Sequence, residues 1–162
     1  MTIKTVLLIN GPNLNLLGHR NPTKYGTTTL DEIEESLKAN AAKNNLRIEC
    51  FQSNHEGELI DYLHKNFLEA HSEKKKLGGI IINPGAWTHT SIALRDALEI
   101  YEEKNIPIYE VHLSQIHKRE EFRHHSYISG IATGVICGLG DLGYEAALNV
   151  IIKKNESSYA RE

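Results

Sequence analysis

The sequence is poor in cysteine and carries no surplus of positive charge. Its two cysteines, Cys50 and Cys137, lie far apart and outside any CxxC or CxxH pattern, which argues against a disulfide framework and against a zinc site. We therefore expect two reduced thiols in the core. The net charge of −3 provides no basic field that would attract nucleic acid, so nucleic acid is not an expected partner.

Long hydrophobic runs are also lacking. The first apolar run, TVLLI, is too short for a signal peptide and is followed by no small-residue cleavage site, and no later stretch approaches the length of a membrane span. We therefore expect a soluble, cytoplasmic protein with no membrane partner. With 162 residues the chain has the size of one domain, and we expect residues 1–162 to form it, with a polar tail from about 154 to 162.

Short apolar runs alternate along the chain with longer amphipathic segments. The expected strands are 3–9, 46–51, 78–83, 107–113 and 133–137, and the expected long helices begin at Thr29, Glu56, Ser91 and Asp141. This alternation predicts an α/β fold with a parallel sheet between two layers of helices. We expect the flavodoxin-like three-layer sandwich, a five-stranded parallel sheet of order 2-1-3-4-5. A ligand crevice is then expected outside the carboxyl ends of the first and third strands.

The connection that follows the first strand, NGPNLNLLGHRNPTKYG, is longer than the usual connection of about two to six residues, which favours a functional loop or lid. It carries Asn13, Arg20 and Tyr25. A lone tyrosine in a loop is commonly a partly buried aromatic residue, but an arginine cation close to the phenol favours the phenolate, a competent general base. We interpret the glycines of this loop as its joints: Gly11, Gly18 and Gly26.

Polar residues also follow the third strand. The segment NPGAWTHTS is typical of a turn that ends in a helix N-cap at Thr90 or Ser91. The turn and the cap do not require Asn83 and His89, and the turn would hold these two side chains at the crevice. Trp87 is open to two interpretations, packing or a subunit contact.

In the fourth strand Glu110, His112 and Ser114 alternate, so that they point to one side if the strand continues. A buried carboxylate next to an imidazole favours the imidazolium and keeps it ready as a general acid. The segment KREEFRHH that follows is typical of a solvated helical turn. Arg119 and Arg123 would share one face of it, and either could reach an anionic ligand.

Two other patterns are better explained by structure than by ligand binding. GLGDLG matches the GxGxxG nucleotide-binding pattern, but it follows the last strand, so close packing of strand and helix is the better interpretation of these glycines. Seven of the histidines are scattered over loops and polar helix faces without a metal-binding motif, and we expect surface roles for them: His19, His55, His64, His71, His117, His124 and His125.

The chain resembles the type II 3-dehydroquinate dehydratases along nearly its whole length. The resemblance rests on INGPNLNLLGHRNPTKYGTTTL, FQSNHEGELID, INPGAWTHTSIALRDAL and YEVHLSQIHKREEFRHHSYIS followed by ATGVICGLGDLGYEAAL. It implies a single catalytic domain and a hydro-lyase that converts 3-dehydroquinate reversibly to 3-dehydroshikimate through an enolate, without cofactor or metal. It also implies a place in the shikimate pathway of aromatic amino acid biosynthesis and a homododecamer built as four trimers.

Residue by residue, the resemblance makes Tyr25 the base, Arg20 the cation that activates it and His112 the acid, oriented by Glu110. Asn13 would hold a water that stabilises the enolate oxygen. The implied substrate contacts are Asn83, His89, the backbone amides of Leu113 and Ser114, Arg123, and Asp96 from a neighbouring subunit.

The sequence departs from the usual family pattern at Asn21, Trp87 and Gln115. None of them transfers a proton, so the departures bear on loop dynamics and affinity. A rival interpretation from another class, suggested by the fold and the glycines, is a flavodoxin-like module that binds FMN or a nucleotide. A receiver-like domain is disfavoured because the first strand ends in Asn10 and not in an acidic cluster. The sequence leaves open whether the enzyme serves biosynthesis or the breakdown of quinate.

Overall fold

A parallel sheet forms the centre of the computed structural model, which describes residues 3–159. Its strands are β1 (Lys4–Asn10), β2 (Leu46–Gln52), β3 (Leu77–Asn83), β4 (Ile108–His112) and β5 (Gly134–Cys137). They lie in the order β2-β1-β3-β4-β5, with parallel pairing throughout. The predicted α/β, flavodoxin-like sheet order is confirmed. The chain changes its direction of winding between β1 and β3, which opens a crevice at their carboxyl ends.

Helices connect the strands. They are α1 (Pro22–Tyr25), α2 (Leu30–Lys43), α3 (Glu56–His71), α4 (Ile92–Glu102) and α5 (Leu142–Tyr159). The helix α2 begins next to Thr29, as predicted, with a capping box: the Thr29 hydroxyl accepts from the Glu32 amide at 3.2 Å and the Glu32 carboxylate accepts from the Thr29 amide at 2.8 Å. Ser91 caps α4 by accepting from the Leu94 amide at 2.8 Å. No helix within residues 3–159 is both long enough and apolar enough to cross a membrane.

The core has two halves, one on each face of the sheet. Along β1, Val6 and Leu8 pack into the half that contains α2 and α5, whereas Leu7 and Ile9 pack into the half that contains α3 and α4. This alternation is the two-residue period of a strand buried on both faces. The buried side of α2 consists of Leu30, Ile33, Leu37 and Ala41.

Two expectations about the chain ends and cysteines need correction. The last helix continues to Tyr159, beyond its expected end near Lys154, because no proline or glycine interrupts it and the Ser157 hydroxyl donates to the Lys153 carbonyl at 2.9 Å. The rest of the expected tail, 160–162, lies outside the described residues. Cys50 and Cys137 are free, as expected, but only partly buried, because β2 and β5 are the edge strands of the sheet.

Candidate active site

A cavity of about 160 Å³ lies at the carboxyl ends of β1, β3 and β4, where the crevice was predicted. Most of the predicted site residues line it: Asn13, Arg20, Tyr25, Asn83, His89, His112, Leu113, Ser114 and Arg123. A larger open groove of about 940 Å³ lies at the opposite end of the sheet, beside residues such as Thr5, Leu46 and Lys76. We place the site in the smaller cavity, because it gathers the imidazoles, guanidinium groups and phenol that acid–base chemistry needs.

Tyr25 reaches the cavity from α1, a single helical turn within the long loop. Asn21 caps this turn by accepting from the Thr23 amide at 3.1 Å, and Pro22 occupies its first position. The guanidinium carbon of Arg20 lies 4.5 Å from the centre of the Tyr25 ring, so the predicted pairing of phenol and cation is present. The departure at Asn21 therefore has a structural role, since its side chain starts the turn that presents Tyr25.

A second arginine approaches the same ring. The guanidinium carbon of Arg119 lies 5.8 Å from the centre of the Tyr25 ring, and its Nη1 donates to the Ser114 hydroxyl at 3.3 Å. The Nε of Arg119 is buried and makes no hydrogen bond within residues 3–159. Sequence reasoning considered Arg119 only as a ligand for an anion. Its place beside Tyr25 depends on a contact across most of the chain, for which the sequence contains no local signal.

The expected single helical face for Arg119 and Arg123 is wrong. The segment forms two separate 3₁₀ turns, Ile116–Lys118 and Glu121–Arg123, and Arg119 lies between them in an extended conformation. Both arginines nevertheless line the cavity. Arg123 is held by Glu120, whose carboxylate accepts from its Nε at 2.9 Å.

Asn13 lies at the base of the long loop in the left-handed conformation, with φ of 68°. The backbone N–H of Asn13 donates to the side-chain oxygen of Asn54 at 2.8 Å, and the side chain of Gln52 donates to the Gly11 carbonyl at 3.1 Å. The signal for these contacts in the sequence was the polar run QSN at the end of β2, an edge strand, and its side chains anchor the loop that carries Asn13.

The glycines of the long loop differ in their roles. Gly18 and Gly26 have φ of 84° and 77°, as positions that redirect the chain require. At Gly11, in contrast, an added Cβ would lie 2.3 Å from the Pro84 carbonyl oxygen. Gly11 is therefore explained by close packing of the loop base against the turn after β3, and not by the backbone freedom that a joint requires.

His112 and Glu110 form the predicted pair on β4. Both are buried, and His112 Nε2 donates to Glu110 Oε1 at 2.6 Å. A carboxylate can only accept, so Nε2 carries a proton and Nδ1 is left for a ligand. The predicted orientation of the imidazole by Glu110 is thus consistent with the geometry.

Three hydroxyl groups surround the same carboxylate. Glu110 accepts from Thr88 at 2.6 Å, from Ser126 at 2.7 Å and from Ser129 at 2.5 Å. Burial alone would raise the pKa of Glu110, but the hydrogen bonds and the charge of His112, with the hydroxyls of Ser129 and Thr88, outweigh it and lower the pKa to about 2. Sequence reasoning missed these hydroxyls. Their signals, THTS and HSYIS, are indistinguishable from ordinary turn sequences.

Asn83 and His89 frame the third side of the cavity. Asn83 is almost fully buried at the end of β3, and its Oδ1 accepts from the Gly85 amide at 3.1 Å. His89 Nδ1 lies 2.7 Å from the His125 carbonyl, so this nitrogen is the donor. Partial burial lowers the pKa of His89, and the charges of His112 and Arg123 act in the same direction. His89 is therefore biased toward the neutral imidazole.

Asp96 does not join the cavity within one chain. It lies exposed on α4 and is not among the lining residues.

Trp87 and Gln115, which with Asn21 depart from the usual family pattern, have local roles. Trp87 packs against the core half that contains α3 and α4, and the Gln115 side chain accepts from the His117 amide at 3.3 Å, which begins a 3₁₀ turn.

The glycine pattern of GLGDLG is explained by packing and turns. A Cβ on Gly143 would lie 3.1 Å from Val111 and 3.4 Å from Ile136, so glycine at this position allows α5 to pack closely on the sheet. The seven scattered histidines are exposed, as expected. Within residues 3–159, no group of three or more His, Cys, Asp and Glu side chains is placed to hold a metal ion.

Comparison with known proteins gives a consistent result. Residues 4–152 match the family model described as Dehydroquinase class II. A protein of Mannheimia succiniciproducens named 3-dehydroquinate dehydratase is 54% identical over 151 residues, which cover 93% of this chain and 94% of the relative. A Neosartorya fischeri protein named Catabolic 3-dehydroquinase 2 is 51% identical over 150 residues, covering 93% of each. The crystal structure of a type II dehydroquinase from Propionibacterium acnes matches with a TM-score of 0.80 and 41% identity, covering 93% of this chain and 97% of that one.

Proposed function

Since this chain belongs to the class II dehydroquinase family, we propose that it removes water reversibly from 3-dehydroquinate to give 3-dehydroshikimate, within the shikimate pathway of aromatic amino acid biosynthesis. As a member of that family it is a hydro-lyase of type II. The observation that carries the proposal is one cavity that contains a tyrosine beside arginine and a histidine bonded to a buried carboxylate. These groups supply the base and the acid that an elimination needs.

The first step is removal of a proton next to the ketone. Tyr25, as phenolate, takes the proton, and the electrons of the broken C–H bond form an enolate. We assign Arg20, whose guanidinium carbon lies 4.5 Å from the centre of the Tyr25 ring, as the cation that activates this base. Arg119, whose guanidinium carbon lies 5.8 Å from the same ring centre, is a second cation beside it. Both charges are permanent, because arginine stays protonated at all ordinary pH values.

The enolate oxygen needs a hydrogen-bond donor in the cavity. We assign this function to a water held by Asn13, whose position at the base of the loop is fixed by Asn54. Asn83, His89, Arg123 and the amides of Leu113 and Ser114 contact the substrate. The carboxylate of the substrate is the natural partner of the two amides.

The second step expels the hydroxyl group. The enolate electrons form the new C=C bond as the C–O bond breaks, and His112 Nδ1 donates a proton so that water leaves. Glu110 stabilises the imidazolium from the other side, through the 2.6 Å bond to Nε2. Transfer of a proton from Tyr25 to His112, directly or through solvent, restores both groups.

We also propose that the active form is a single-domain subunit in a homododecamer of four trimers, with Asp96 completing the site of a neighbour. The exposed position of Asp96 on α4 supports a contribution to another subunit rather than to its own cavity.

A separate question is whether the enzyme serves biosynthesis or breakdown, because relatives of similar identity are named for the dehydratase and for a catabolic enzyme. Expression of this chain in a dehydratase-deficient strain, followed by growth without aromatic amino acids, tests the biosynthetic assignment.

The direct test is to follow the ultraviolet absorbance of the conjugated product as 3-dehydroquinate is added to the purified protein. We expect turnover without any added metal or cofactor. We also expect that borohydride added with substrate leaves the activity intact, because an enolate mechanism forms no imine that the reagent could reduce. The absence of turnover from folded protein would refute the reaction, whereas inactivation by borohydride would refute only the enolate mechanism.

A further inference from the structure

A buried hydrogen-bonded chain links α5 to the ends of β1 and β3. The Tyr144 hydroxyl lies 2.6 Å from Asn10 Oδ1, and Asn83 Nδ2 lies 3.0 Å from the same hydroxyl. Tyr144 and Asn10 have no exposed surface, and Asn83 is 2% exposed. Asn10 and Asn83 face each other in the register of β1 and β3, at the point where the crevice opens.

The main chain fixes the direction of this chain of bonds. The Gly85 amide can only donate, so the Asn83 atom 3.1 Å from it must be the oxygen. Asn83 Nδ2 therefore points to Tyr144 and donates to its hydroxyl. Since the hydroxyl is thus the acceptor from Asn83, its own proton goes to Asn10 Oδ1. Complete burial raises the pKa of Tyr144 above its ordinary value, so the phenol remains a protonated donor.

This arrangement uses one hydrogen of the Asn83 amide group and leaves the other. Asn83 lines the cavity, so the remaining N–H is available to an oxygen of the ligand. The hydroxyl of a buried tyrosine needs one hydrogen-bond partner, so a purely structural role of Tyr144 in the core would require only one. Here the hydroxyl has two partners, and one of them is a residue of the cavity wall. The Nδ2 of Asn10 is buried without a partner among the described residues, so within that part of the chain Asn10 contributes its oxygen.

We propose that Tyr144, supported by Asn10, is a positioning residue that fixes the Asn83 amide for contact with the substrate. This role rests on the proposed function, because it concerns the ligand of the same cavity. Tyr144 does not line the cavity, so its effect passes through Asn83. A helix on one side of the sheet thereby controls a hydrogen bond at the sheet's carboxyl end.

The test compares two tyrosines that differ in their partners. Tyr144→Phe keeps the ring and removes the hydroxyl that Asn83 uses. Tyr101→Phe is the matched control, because Tyr101 is also fully buried and its hydroxyl donates to the Leu63 carbonyl in the other half of the core. We expect Tyr144→Phe to lower kcat/KM roughly tenfold, mainly through a higher KM, as expected for one lost or misdirected hydrogen bond. Tyr101→Phe should stay within about twofold of the wild type.

A double-mutant cycle with Asn83→Ala separates positioning from general damage. If Tyr144 acts through Asn83, adding Tyr144→Phe to Asn83→Ala changes kcat/KM by less than about twofold. Multiplied losses, or a Tyr144→Phe enzyme that behaves like Tyr101→Phe, would overturn the inference while the wild-type activity still supports the proposed function. An inactive wild type would overturn the proposed function and this role together.

Folding of the variants is monitored by circular dichroism and thermal unfolding. If Tyr144→Phe does not fold, Asn10→Ala is used in its place. This variant removes Asn10 Oδ1, the acceptor of the hydroxyl proton of Tyr144. We expect a severalfold loss of kcat/KM that again disappears in the Asn83→Ala background. If neither variant folds, the network belongs to the core alone and the inference is wrong.

Discussion

Two residues separated by more than half of the chain, Tyr25 and His112, line one cavity and differ in their charged neighbours. Tyr25 lies beside two arginines, which are permanently charged. His112 is bonded to the Glu110 carboxylate, whose pKa is lowered by the hydrogen bond and charge of His112 and by the hydroxyls of Ser129 and Thr88. In the proposed elimination, these neighbours suit a base and an acid, respectively.

At this scale, the role of Tyr25 can be tested by Tyr25→Phe, which removes the base and keeps the ring against its arginines. We expect kcat to fall by roughly 10² to 10⁴-fold, the usual contribution of general acid–base catalysis. Tyr62→Phe is the control, because Tyr62 is a partly buried tyrosine of α3 stacked on Phe51 with 4.2 Å between ring centres. Both variants are assayed by product absorbance. A Tyr25→Phe enzyme with wild-type turnover would remove Tyr25 from the mechanism.

A second residue-scale prediction concerns the hydroxyls around Glu110. The lowered pKa means that the ionised carboxylate stabilises the fold fully above about pH 4.5, and that this contribution is lost as the pH falls toward about 2. Ser129→Ala removes one hydrogen-bond donor to the Glu110 carboxylate, so the folded-state pKa of Glu110 is lowered less. We expect Ser129→Ala to reduce the free energy of unfolding by about 1–3 kcal/mol at pH 7, with the difference shrinking as the pH approaches 2.

Urea unfolding at several pH values measures this difference. Ser157→Ala is the control, because Ser157 is exposed and donates to a backbone carbonyl of its own helix. Its effect should be small and independent of pH. A Ser129→Ala effect that is equally large at pH 7 and at pH 2.5 would show that packing, and not the ionised carboxylate, is responsible.

At the scale of elements, the long loop between β1 and α2 has a base that is held by contacts and a far part that carries two of the proposed site residues. Its base is held by Asn54 and Gln52 and by the close contact of Gly11 with Pro84. Its far part carries Arg20 and the α1 turn with Tyr25, between Gly18 and Gly26. This division is suited to a lid that brings the base to its proton and excludes water on closure.

The lid makes a prediction about hydrogen exchange. Without ligand, the amides of residues 14–26 should exchange faster than those of β1, and 3-dehydroshikimate should slow them selectively. Asn54→Ala, which removes the bond to the Asn13 amide, should keep the loop in faster exchange with ligand present and lower kcat/KM by roughly tenfold. Equal protection of loop and sheet in both states would contradict the lid.

At the scale of the whole molecule, the sheet order places the ends of β1, β3 and β4 together, whereas Asp96 lies exposed outside the cavity of its own chain. If Asp96 serves a neighbouring subunit, one site needs residues from two chains. Activity would then depend on assembly as well as on the fold of the subunit.

Complementation between subunits tests this dependence. Tyr25→Phe and Asp96→Ala should each be poorly active alone, and their coexpression should restore part of the activity, because mixed assemblies contain sites with Tyr25 from one chain and Asp96 from another. Size-exclusion chromatography with light scattering gives the mass, for which we expect a dodecamer. Coexpression that yields only the sum of the two weak activities would show that Asp96 does not act in a neighbour's site.

Local features of the chain were readable from the sequence. The short apolar run of β1 and the Ser91 cap depend on neighbours a few residues apart, so their patterns predicted these elements, and the alternation of strands with helices predicted the sheet order. The pairing of Glu110 with His112 was predictable for the same reason, since the two residues lie two positions apart on one strand. The end of α5 was misjudged because a polar composition does not end a helix that contains no breaking residue.

Only the tertiary structure decided which distant residues support these predicted groups. It places Arg119 at the Tyr25 ring, Asn54 at Asn13, 41 residues away, and Tyr144 at Asn10, 134 residues away. It also directs the hydroxyls of two separate turns to one buried carboxylate. The sequence determines the elements because their hydrogen bonds and apolar periods are local. The support of the site depends on strand register and helix packing, which bring together residues that share no pattern along the chain.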